Sequence, residues 1–233
     1  MMATCPLCAS AETAFYHRDQ RREYLGCRRC DLVFVPPVFR LSPAEERAVY
    51  DQHENSPDDL GYRRFLGRLF DPLRERLAPG ARGLDFGAGP GPTLSVMFEE
   101  AGHPMAIYDP FYAPDAGVLE EEYDFITATE VAEHLFAPGE VLARLAGRLR
   151  PGGWLGLMTK RTTTREAFAR WHYILDPTHV GFFSEASFQW LAESLGMSVE
   201  FPAADVVLLQ KPAAGSREGG LSENIADRVP CCR

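Results

Sequence analysis

A glycine-rich loop constrains the fold of this chain more than any other feature. The stretch LDFGAGPGPT, residues 84–93, places three glycines at alternate positions. Glycine adopts backbone conformations closed to other residues and lets another group approach the main chain closely. The loop follows a strand-like segment, ARGLDF, and precedes a helical one, TLSVMFEEAG, after which PMAIYDP forms a second strand-like segment. This order predicts a β-loop-α-β unit of an α/β fold that holds a ligand against the loop.

The second predicted strand ends at an acidic residue, Asp109. Adenosine-binding proteins place an acid for the ribose hydroxyls about 20 residues after the glycine loop, and Asp109 stands at that distance from Gly87. The dinucleotide pattern G-x-G-x-x-G/A is not met, because Pro92 stands where the third small residue belongs. The pattern therefore favours an adenosine ligand other than a dinucleotide. A nucleotide-sugar or dinucleotide enzyme is the less favoured alternative.

The pattern D-x-G-x-G-x-G over residues 85–91 resembles motif I of class I S-adenosylmethionine-dependent methyltransferases. Residues 123–135, 142–159 and 179–201 are similar to later strands and helices of that family, so the resemblance covers about residues 81–211. It implies a Rossmann-like sheet and the cofactor S-adenosylmethionine. It also implies a set of cofactor-binding residues, namely Asp85, Gly87, Gly89, Gly91, Asp109, Pro110 and Glu130.

The segment between the second and third predicted strands is short. Only residues 110–123 separate Asp109 from Asp124, whereas the family usually places a helix and its third strand there. Those two elements need about twice as long a segment at ordinary lengths. We therefore expect the third strand of the family fold to be shortened or missing. Phe111 and Tyr112 are then candidates to complete the adenine side of the pocket.

Four cysteines near the N-terminus form the pattern C-x2-C-x18-C-x2-C: Cys5, Cys8, Cys27 and Cys30. Two such turns can face each other and complete a tetrahedral zinc site, with Zn–S bonds of about 2.3 Å. Redox pairs or a disulfide staple are the alternatives. About 35 residues cannot build a hydrophobic core, so zinc would supply the folding energy of this module. We expect the core of the following domain not to depend on it.

The chain divides into four predicted parts. Residues 1–40 form a small zinc-ribbon module and residues 41–80 a helical linker or lid, whose first helix begins at Ser42 followed by a proline. Residues 81–211 form the methyltransferase domain. Residues 212–233 are polar and non-periodic, which predicts a disordered tail whose cysteines at 231 and 232 have no site around them.

Composition limits the partners. The net charge of −9 argues against a surface that binds nucleic acid by charge alone, although a local basic patch stays open. The N-terminus has no apolar signal region, and no apolar run reaches membrane-spanning length. These features predict a cytoplasmic protein with no membrane partner.

The acceptor side depends on the E-x-x-E-H pattern of Glu130, Glu133 and His134 and on His179 in a polar turn. As a helical turn, the first three would share a face. His179, His134 and Glu130 are the catalytic candidates, with a neutral imidazole as general base. The pattern is also similar to the cluster that binds Mg²⁺ or Mn²⁺ in ubiquinone-pathway and small-RNA-terminal O-methyltransferases, which implies a second metal site at all four residues. Structural packing is the alternative.

The expected reaction is methyl transfer to a small-molecule or RNA acceptor, most readily at a hydroxyl. Two alternatives stay open, a sugar C-methyltransferase and a cofactor-binding regulator without activity. Lys160 and Arg161 follow a predicted strand and could hold an anionic group of the acceptor.

Overall fold

The computed structural model describes residues 3–52 and 55–215. Most of the predicted tail, including Cys231 and Cys232, therefore lies outside the described residues. The N-terminal module is an antiparallel meander in which the middle strand pairs with both others. Its strands are β1 (Thr13–Arg18), β2 (Glu23–Cys27) and β3 (Val33–Phe34).

Two helices, α1 (Pro43–Tyr50) and α2 (Leu60–Arg74), link the module to the main sheet. Helix α1 begins with the predicted cap: the Ser42 hydroxyl accepts from the Glu45 N–H, and the Glu45 carboxylate accepts from the Ser42 N–H. Helix α2 is capped by Asp59 and buries one leucine-rich face against the sheet. Both helices end up beside the glycine loop.

The main sheet has six strands in the order β5-β4-β6-β7-β10-β9. Strands β4 to β7 are parallel, and β10 runs antiparallel to both of its neighbours. The strands from β4 onward are β4 (Gly83–Phe86), β5 (Met105–Tyr108), β6 (Tyr123–Thr129), β7 (Leu149–Met158), β8 (Gly181–Phe182), β9 (Ser198–Ala203) and β10 (Val206–Gln210). The helices from α3 onward are α3 (Thr93–Glu100), α4 (Pro138–Gly147), α5 (Arg165–Phe168) and α6 (Glu185–Leu195).

The predicted loss of the third strand is confirmed. Strand β5 is the edge of the sheet, and the described chain between β5 and β6 holds a 3-10 helix, Ala116–Glu120, in place of a strand. A single bridge between Asp109 and Ala113 closes a tight turn just after β5. No helix of the described ranges is long and apolar enough to cross a membrane.

The expectation that the main core is independent of the N-terminal module is wrong. Strand β3 pairs with β8, placing Val33 opposite Phe182 and Phe34 opposite Gly181. Cys5, Cys30 and Leu32 lie in the same buried cluster as side chains of β6, α4 and α6. The physical reason is the size of the module, which buries its few apolar side chains against the larger domain because it cannot cover them alone.

Candidate active site

The three loop glycines serve different needs. Gly87 and Gly89 have positive φ angles of 75° and 64°. A Cβ at Gly87 would lie 2.4 Å from Val131 Cγ2, and a Cβ at Gly91 would lie 2.1 Å from the carbonyl oxygen of Asn55. At Gly89 no described atom lies within 4 Å of that position, although the residue lines a cavity. The first and last glycines therefore permit close packing of protein, whereas Gly89 keeps space open for a ligand.

The cavity lies at the carboxyl ends of β4, β5 and β6, where open α/β sheets bind ligands. Its volume is about 690 Å³, enough for a cofactor of nucleoside size together with part of an acceptor. Most residues predicted from the sequence to form the site line it. They are Asp85, Gly87, Gly89, Gly91, Asp109, Pro110, Phe111, Tyr112, Glu130, His134 and His179.

Other lining residues were not predicted. Glu46 and Tyr50 come from α1, Tyr62 and Phe65 come from α2, and Asp176 comes from the turn before His179. Alternation of aromatic and charged residues on a helix looks the same in sequence whether it faces solvent or a pocket. Only the tertiary contact of α1 and α2 with the glycine loop distinguishes the two.

Asp109 ties the loops around the cavity together. Its Oδ2 accepts from the Gly89 N–H at 3.0 Å, and its Oδ1 accepts from the N–H groups of Phe111 and Tyr112 at 2.8 and 3.1 Å. The carboxylate thus holds the glycine loop against the turn after β5. This position at the end of the second strand of the β-loop-α-β unit is the one that the sequence predicts for a ribose-binding acid.

Asp85 is buried at the end of β4, with its Oδ1 accepting from Thr127 Oγ1 at 2.8 Å. Burial raises the pKa of this carboxyl to about 7, and the negative charge of Asp109 adds to the effect of burial. In the unfolded chain the carboxyl ionises near its ordinary pKa of 3.8. Without a cationic ligand, the folded protein therefore keeps a proton here that the unfolded chain releases.

We predict a pH-dependent stabilisation of the ligand-free protein by Asp85→Asn. A raised folded-state pKa lowers stability as the pH rises from about 4 to about 7, since the folded state binds more protons there. The substitution removes this loss, so its gain in unfolding free energy should be small at pH 4 and reach about 2–4 kcal/mol at pH 8. Urea unfolding at both pH values measures this gain in unfolding free energy, and Asp58→Asn, at an exposed position, is the control. An equal effect of Asp85→Asn at both pH values would contradict the prediction.

Glu130 follows β6 in a conformation that the sequence did not predict. Its φ is +52°, and its N–H donates to the Met158 carbonyl at 2.7 Å. Positive φ is uncommon for a residue with a side chain and concentrates at functional sites. The predicted helical face shared with Glu133 and His134 is therefore wrong, because the 3-10 helix spans only Ala132–His134. Burial, and then the charge of Glu133, raises the pKa of Glu130 to about 8.

The two cavity histidines are oriented by backbone carbonyls of one loop. His179 Nδ1 donates to the Tyr173 carbonyl at 2.8 Å, and His134 Nδ1 donates to the Thr178 carbonyl at 3.2 Å. Since a carbonyl can only accept, each neutral ring carries its proton on Nδ1 and its lone pair on Nε2. Burial, together with the neighbouring His134, lowers the pKa of His179. His179 is thus held neutral at pH 7, with a basic nitrogen in the cavity wall.

Glu133 lies behind the histidines and is fully buried. Its Oε1 accepts from the Tyr173 hydroxyl, whereas its Oε2 has no hydrogen-bond partner among the described residues. One ligand atom each of Glu133, His134 and His179 lies within 4.8 Å of the others. A buried acceptor without a donor beside two imidazole nitrogens fits a divalent cation. Glu130 is not part of this group, so the predicted four-residue metal set is reduced to three.

The four N-terminal cysteines come together as predicted. Cys5 Sγ and Cys30 Sγ are 3.5 Å apart, as are Cys8 Sγ and Cys27 Sγ, and all four sulfurs lie within 4.8 Å of one another. A ZnS₄ tetrahedron with bonds of about 2.3 Å needs sulfurs about 3.8 Å apart. None of the four forms a disulfide. The geometry fits a zinc ion.

The two cysteine turns are built alike, which supports a shared ion between them. In each turn, the residue four positions after the first cysteine has a positive φ and donates its N–H to that cysteine's carbonyl. These residues are Ala9 (φ 55°, to Cys5) and Asp31 (φ 59°, to Cys27). Asp31 also accepts from the Ser184 hydroxyl at 2.6 Å and so joins the second turn to α6.

Lys160 and Arg161 do not reach the cavity. Lys160 Nζ contacts His172 Nε2 at 3.2 Å, and Arg161 donates to the Val206 carbonyl and to Glu185. Of the described residues that line the cavity, none is lysine or arginine. The structure gives no support to the hypothesis that these two cations hold an anionic acceptor group.

The chain resembles several solved structures, one of which supports the fold. An O-methyltransferase family protein from Burkholderia thailandensis is 14% identical, and the match covers 77% of this chain and 64% of that chain at a TM-score of 0.52. A magnesium protoporphyrin IX methyltransferase from Synechocystis, with bound SAH, is 14% identical over 72% of this chain and 93% of its own, with a TM-score of 0.48. A 1,6-didemethyltoxoflavin N1-methyltransferase from B. thailandensis is 18% identical. The match covers 85% of this chain and 99% of that chain, with a TM-score of 0.48.

Comparison with protein families is more specific. None of the curated proteins matches the sequence. A family model described as a methyltransferase domain matches residues 60–200, more than half of the chain, including α2, the glycine loop and the E-x-x-E-H segment. Because that match covers more than half of the chain, the chain belongs to the methyltransferase domain family.

Proposed function

We propose that the cavity holds S-adenosylmethionine with its ribose near Asp109 and its methionine end over the glycine loop. The observation that carries this proposal is the open space at Gly89, where no atom of the described residues lies within 4 Å of a Cβ although the backbone is held at φ +64°. Asp85 and Glu130 place two carboxyl groups with raised pKa values beside this space. Each can ionise when the cationic methionine end arrives, which supports recognition of a positively charged cofactor.

The proposed acceptor is a neutral or cationic small molecule methylated at a hydroxyl. Five lining residues are assigned to the acceptor side: Glu46, Tyr50, Asp176, His134 and His179. Carboxylates beside a phosphate or carboxylate of the substrate would repel it, and RNA binding needs cations, of which the described lining residues include none. The carboxyl, phenol and imidazole groups of these five residues suit a hydroxyl-bearing compound. A sugar C-methyltransferase is the second candidate, because the same groups can bind sugar hydroxyls.

In the proposed reaction, a histidine accepts the proton of the acceptor hydroxyl. S-adenosylmethionine supplies an activated methyl group on a positively charged sulfur. The chain must align the acceptor oxygen with that methyl group, exclude water and take the hydroxyl proton. His179 Nε2 is placed to accept the proton, because its Nδ1–H is committed to the Tyr173 carbonyl. His134, 4.8 Å away between ring centroids, is the alternative base.

Two metal ions enter the proposal in different roles. We propose that Cys5, Cys8, Cys27 and Cys30 hold one structural zinc ion. Glu133, His134 and His179 would hold a Mg²⁺ or Mn²⁺ ion, which would lower the pKa of an acceptor hydroxyl bound to it. The unpartnered Glu133 Oε2 supports this second ion. The histidines cannot serve at once as metal ligands and as free bases, so the two mechanisms exclude each other.

Conversion of labelled S-adenosylmethionine in a fractionated cell extract tests the activity. We expect S-adenosylhomocysteine to form, and we expect His179→Ala to slow transfer about 10²–10⁴-fold, the usual contribution of a general base. A protein that binds S-adenosylmethionine yet never turns it over with any fraction would be a cofactor-binding regulator instead.

EDTA separates the two mechanisms, provided that metal analysis shows the zinc ion retained. Transfer unaffected by EDTA and by added Mg²⁺ or Mn²⁺, together with the loss in His179→Ala, establishes the histidine base. Loss of transfer in EDTA, restored by Mg²⁺ or Mn²⁺, establishes the metal. If neither His134→Ala nor His179→Ala slows transfer, both mechanisms fail.

A further inference from the structure

We propose that Arg22, in the N-terminal module, is a positioning residue that sets the orientation and tautomer of the two cavity histidines. Its consequence for catalysis rests on the proposed function, because it acts on the groups assigned there to the acceptor proton. The proposal gives the N-terminal module a part in the active site, although none of its described residues, 3–40, lines the cavity.

Arg22 lies at the end of the β1–β2 turn and is only 5% exposed. Its guanidinium reaches across to residues far later in the chain. Nη2 donates to the carbonyls of Ile174 and Asp176 at 2.9 and 2.7 Å, and Nη1 donates to the carbonyl of Pro177 at 3.0 Å. Three carbonyls, one in the 3-10 helix His172–Leu175 and two in the turn after it, thus accept from a single side chain.

The same loop supplies the carbonyls that orient the histidines. Six consecutive carbonyls, from residue 173 to residue 178, all accept from a side chain. The two outer carbonyls, those of Tyr173 and Thr178, accept from the Nδ1–H groups of His179 and His134, respectively. Three inner carbonyls accept from the Arg22 guanidinium. The remaining one, that of Leu175, accepts from Arg21 Nη2 at 2.5 Å. The arginines hold the middle of the loop, so that its ends face the two imidazole rings.

The arginine is itself fixed from behind. Its Nε donates to the Tyr24 hydroxyl at 2.9 Å, and Asp19 accepts both from that hydroxyl and from the Arg22 backbone N–H. The module is joined to the end of the loop by the Val35 N–H, which donates to the Val180 carbonyl at 2.9 Å. Arg22 is therefore anchored to its own hairpin as well as to the loop, and it fixes the position of one relative to the other.

Arg22→Met tests the proposal, since it keeps most of the apolar stem and removes every donor. Arg18→Met, at an exposed ion pair of the same hairpin, is the matched control. We expect Arg22→Met to keep its zinc ion and to bind S-adenosylmethionine within about 2-fold of wild type. Methyl transfer should fall about 10- to 100-fold, as for other residues that orient a functional histidine through its hydrogen-bonding partner.

A spectroscopic readout separates positioning from mere packing. In protein with ¹⁵N-labelled imidazoles, the His134 and His179 signals should show the Nδ1–H tautomer in wild type and in Arg18→Met. They should shift toward a mixture of tautomers in Arg22→Met. His134→Gln and His179→Gln assign the signals.

The outcomes are distinct. Wild-type tautomer signals and wild-type transfer in a folded Arg22→Met protein would overturn the proposal. If Arg22→Met does not fold, Arg22→Lys, which keeps the charge but cannot span three carbonyls, is measured instead and is expected to show the same shift. If wild type itself transfers no methyl group while Arg22 variants still alter the tautomers, the proposed function fails and the positioning role stands.

Discussion

Cys27→Ser is expected to destabilise the whole protein and not only its N-terminal module. The residue is 4% exposed and lies in the buried cluster that also holds side chains of β6, α4 and α6. Zinc binding contributes about 10–16 kcal/mol of apparent free energy in isolated zinc peptides. Loss of even a third of that should lower the Tm by about 10 °C, at about 2–4 °C per kcal/mol for a chain of this size.

Differential scanning calorimetry with metal analysis measures this effect. The expected trace has a single transition, shifted down and without zinc, because β3 cannot leave β8 without exposing the shared core. Cys231→Ser, a thiol outside the four-cysteine pattern, is the matched control and should leave zinc and Tm unchanged. Two transitions, with the upper one at the wild-type temperature, would show instead that the methyltransferase domain stands alone.

Gly89→Val is expected to abolish cofactor binding while the protein stays folded. The new side chain would project into the cavity, where no atom of residues 3–52 and 55–215 now lies within 4 Å of its Cβ. The Gly89 N–H donates to Asp109 at 3.0 Å, and this hydrogen bond would help to hold the loop in place. We expect the Kd for S-adenosylmethionine to rise at least about 100-fold, equivalent to about 3 kcal/mol.

The substitution also carries backbone strain, since valine disfavours a φ of +64°. Gly102→Val separates the two effects. Gly102 has a φ of +88°, it likewise has no described atom within 4 Å of a Cβ, and it lies in the turn between α3 and β5. Both variants should lose similar stability, but only Gly89→Val should lose binding in isothermal titration calorimetry. Normal binding by Gly89→Val would show that the ligand does not lie against this loop.

The parts of the site that could be predicted from sequence are those whose physics is local. The glycine loop, the two cysteine turns and the Ser42 cap each depend on residues within a few positions of one another. The missing third strand followed from segment length, because residues 110–123 are too few to hold both a helix and a strand. His134 and His179 were found from residue type, since few other side chains can act as a base at pH 7.

The parts that could not be predicted depend on distant contacts. E-x-x-E-H has helical spacing, yet Glu130 leaves the helix because its N–H bonds to Met158 on the neighbouring strand. The sequence grouped Glu133 with Glu130 and His134, whereas the structure buries its side chain behind the histidines. Arg22 is one of several arginines in the N-terminal module, and nothing local marks it as the one that reaches the loop before His179.

The pairing of β3 with β8 also sets an order of events during synthesis. Phe34 pairs with Gly181, which the ribosome synthesises much later. At about 5–20 residues per second, a ribosome takes roughly 7–30 s to make the intervening chain. Through that interval Leu32 and Phe34, both fully buried in the finished protein, lack β8 and the later core that cover them. Zinc that binds early would hold the two cysteine turns together until the later core is made. A shortage of zinc should therefore first cause aggregation of newly made chains, before protein that is already folded loses activity.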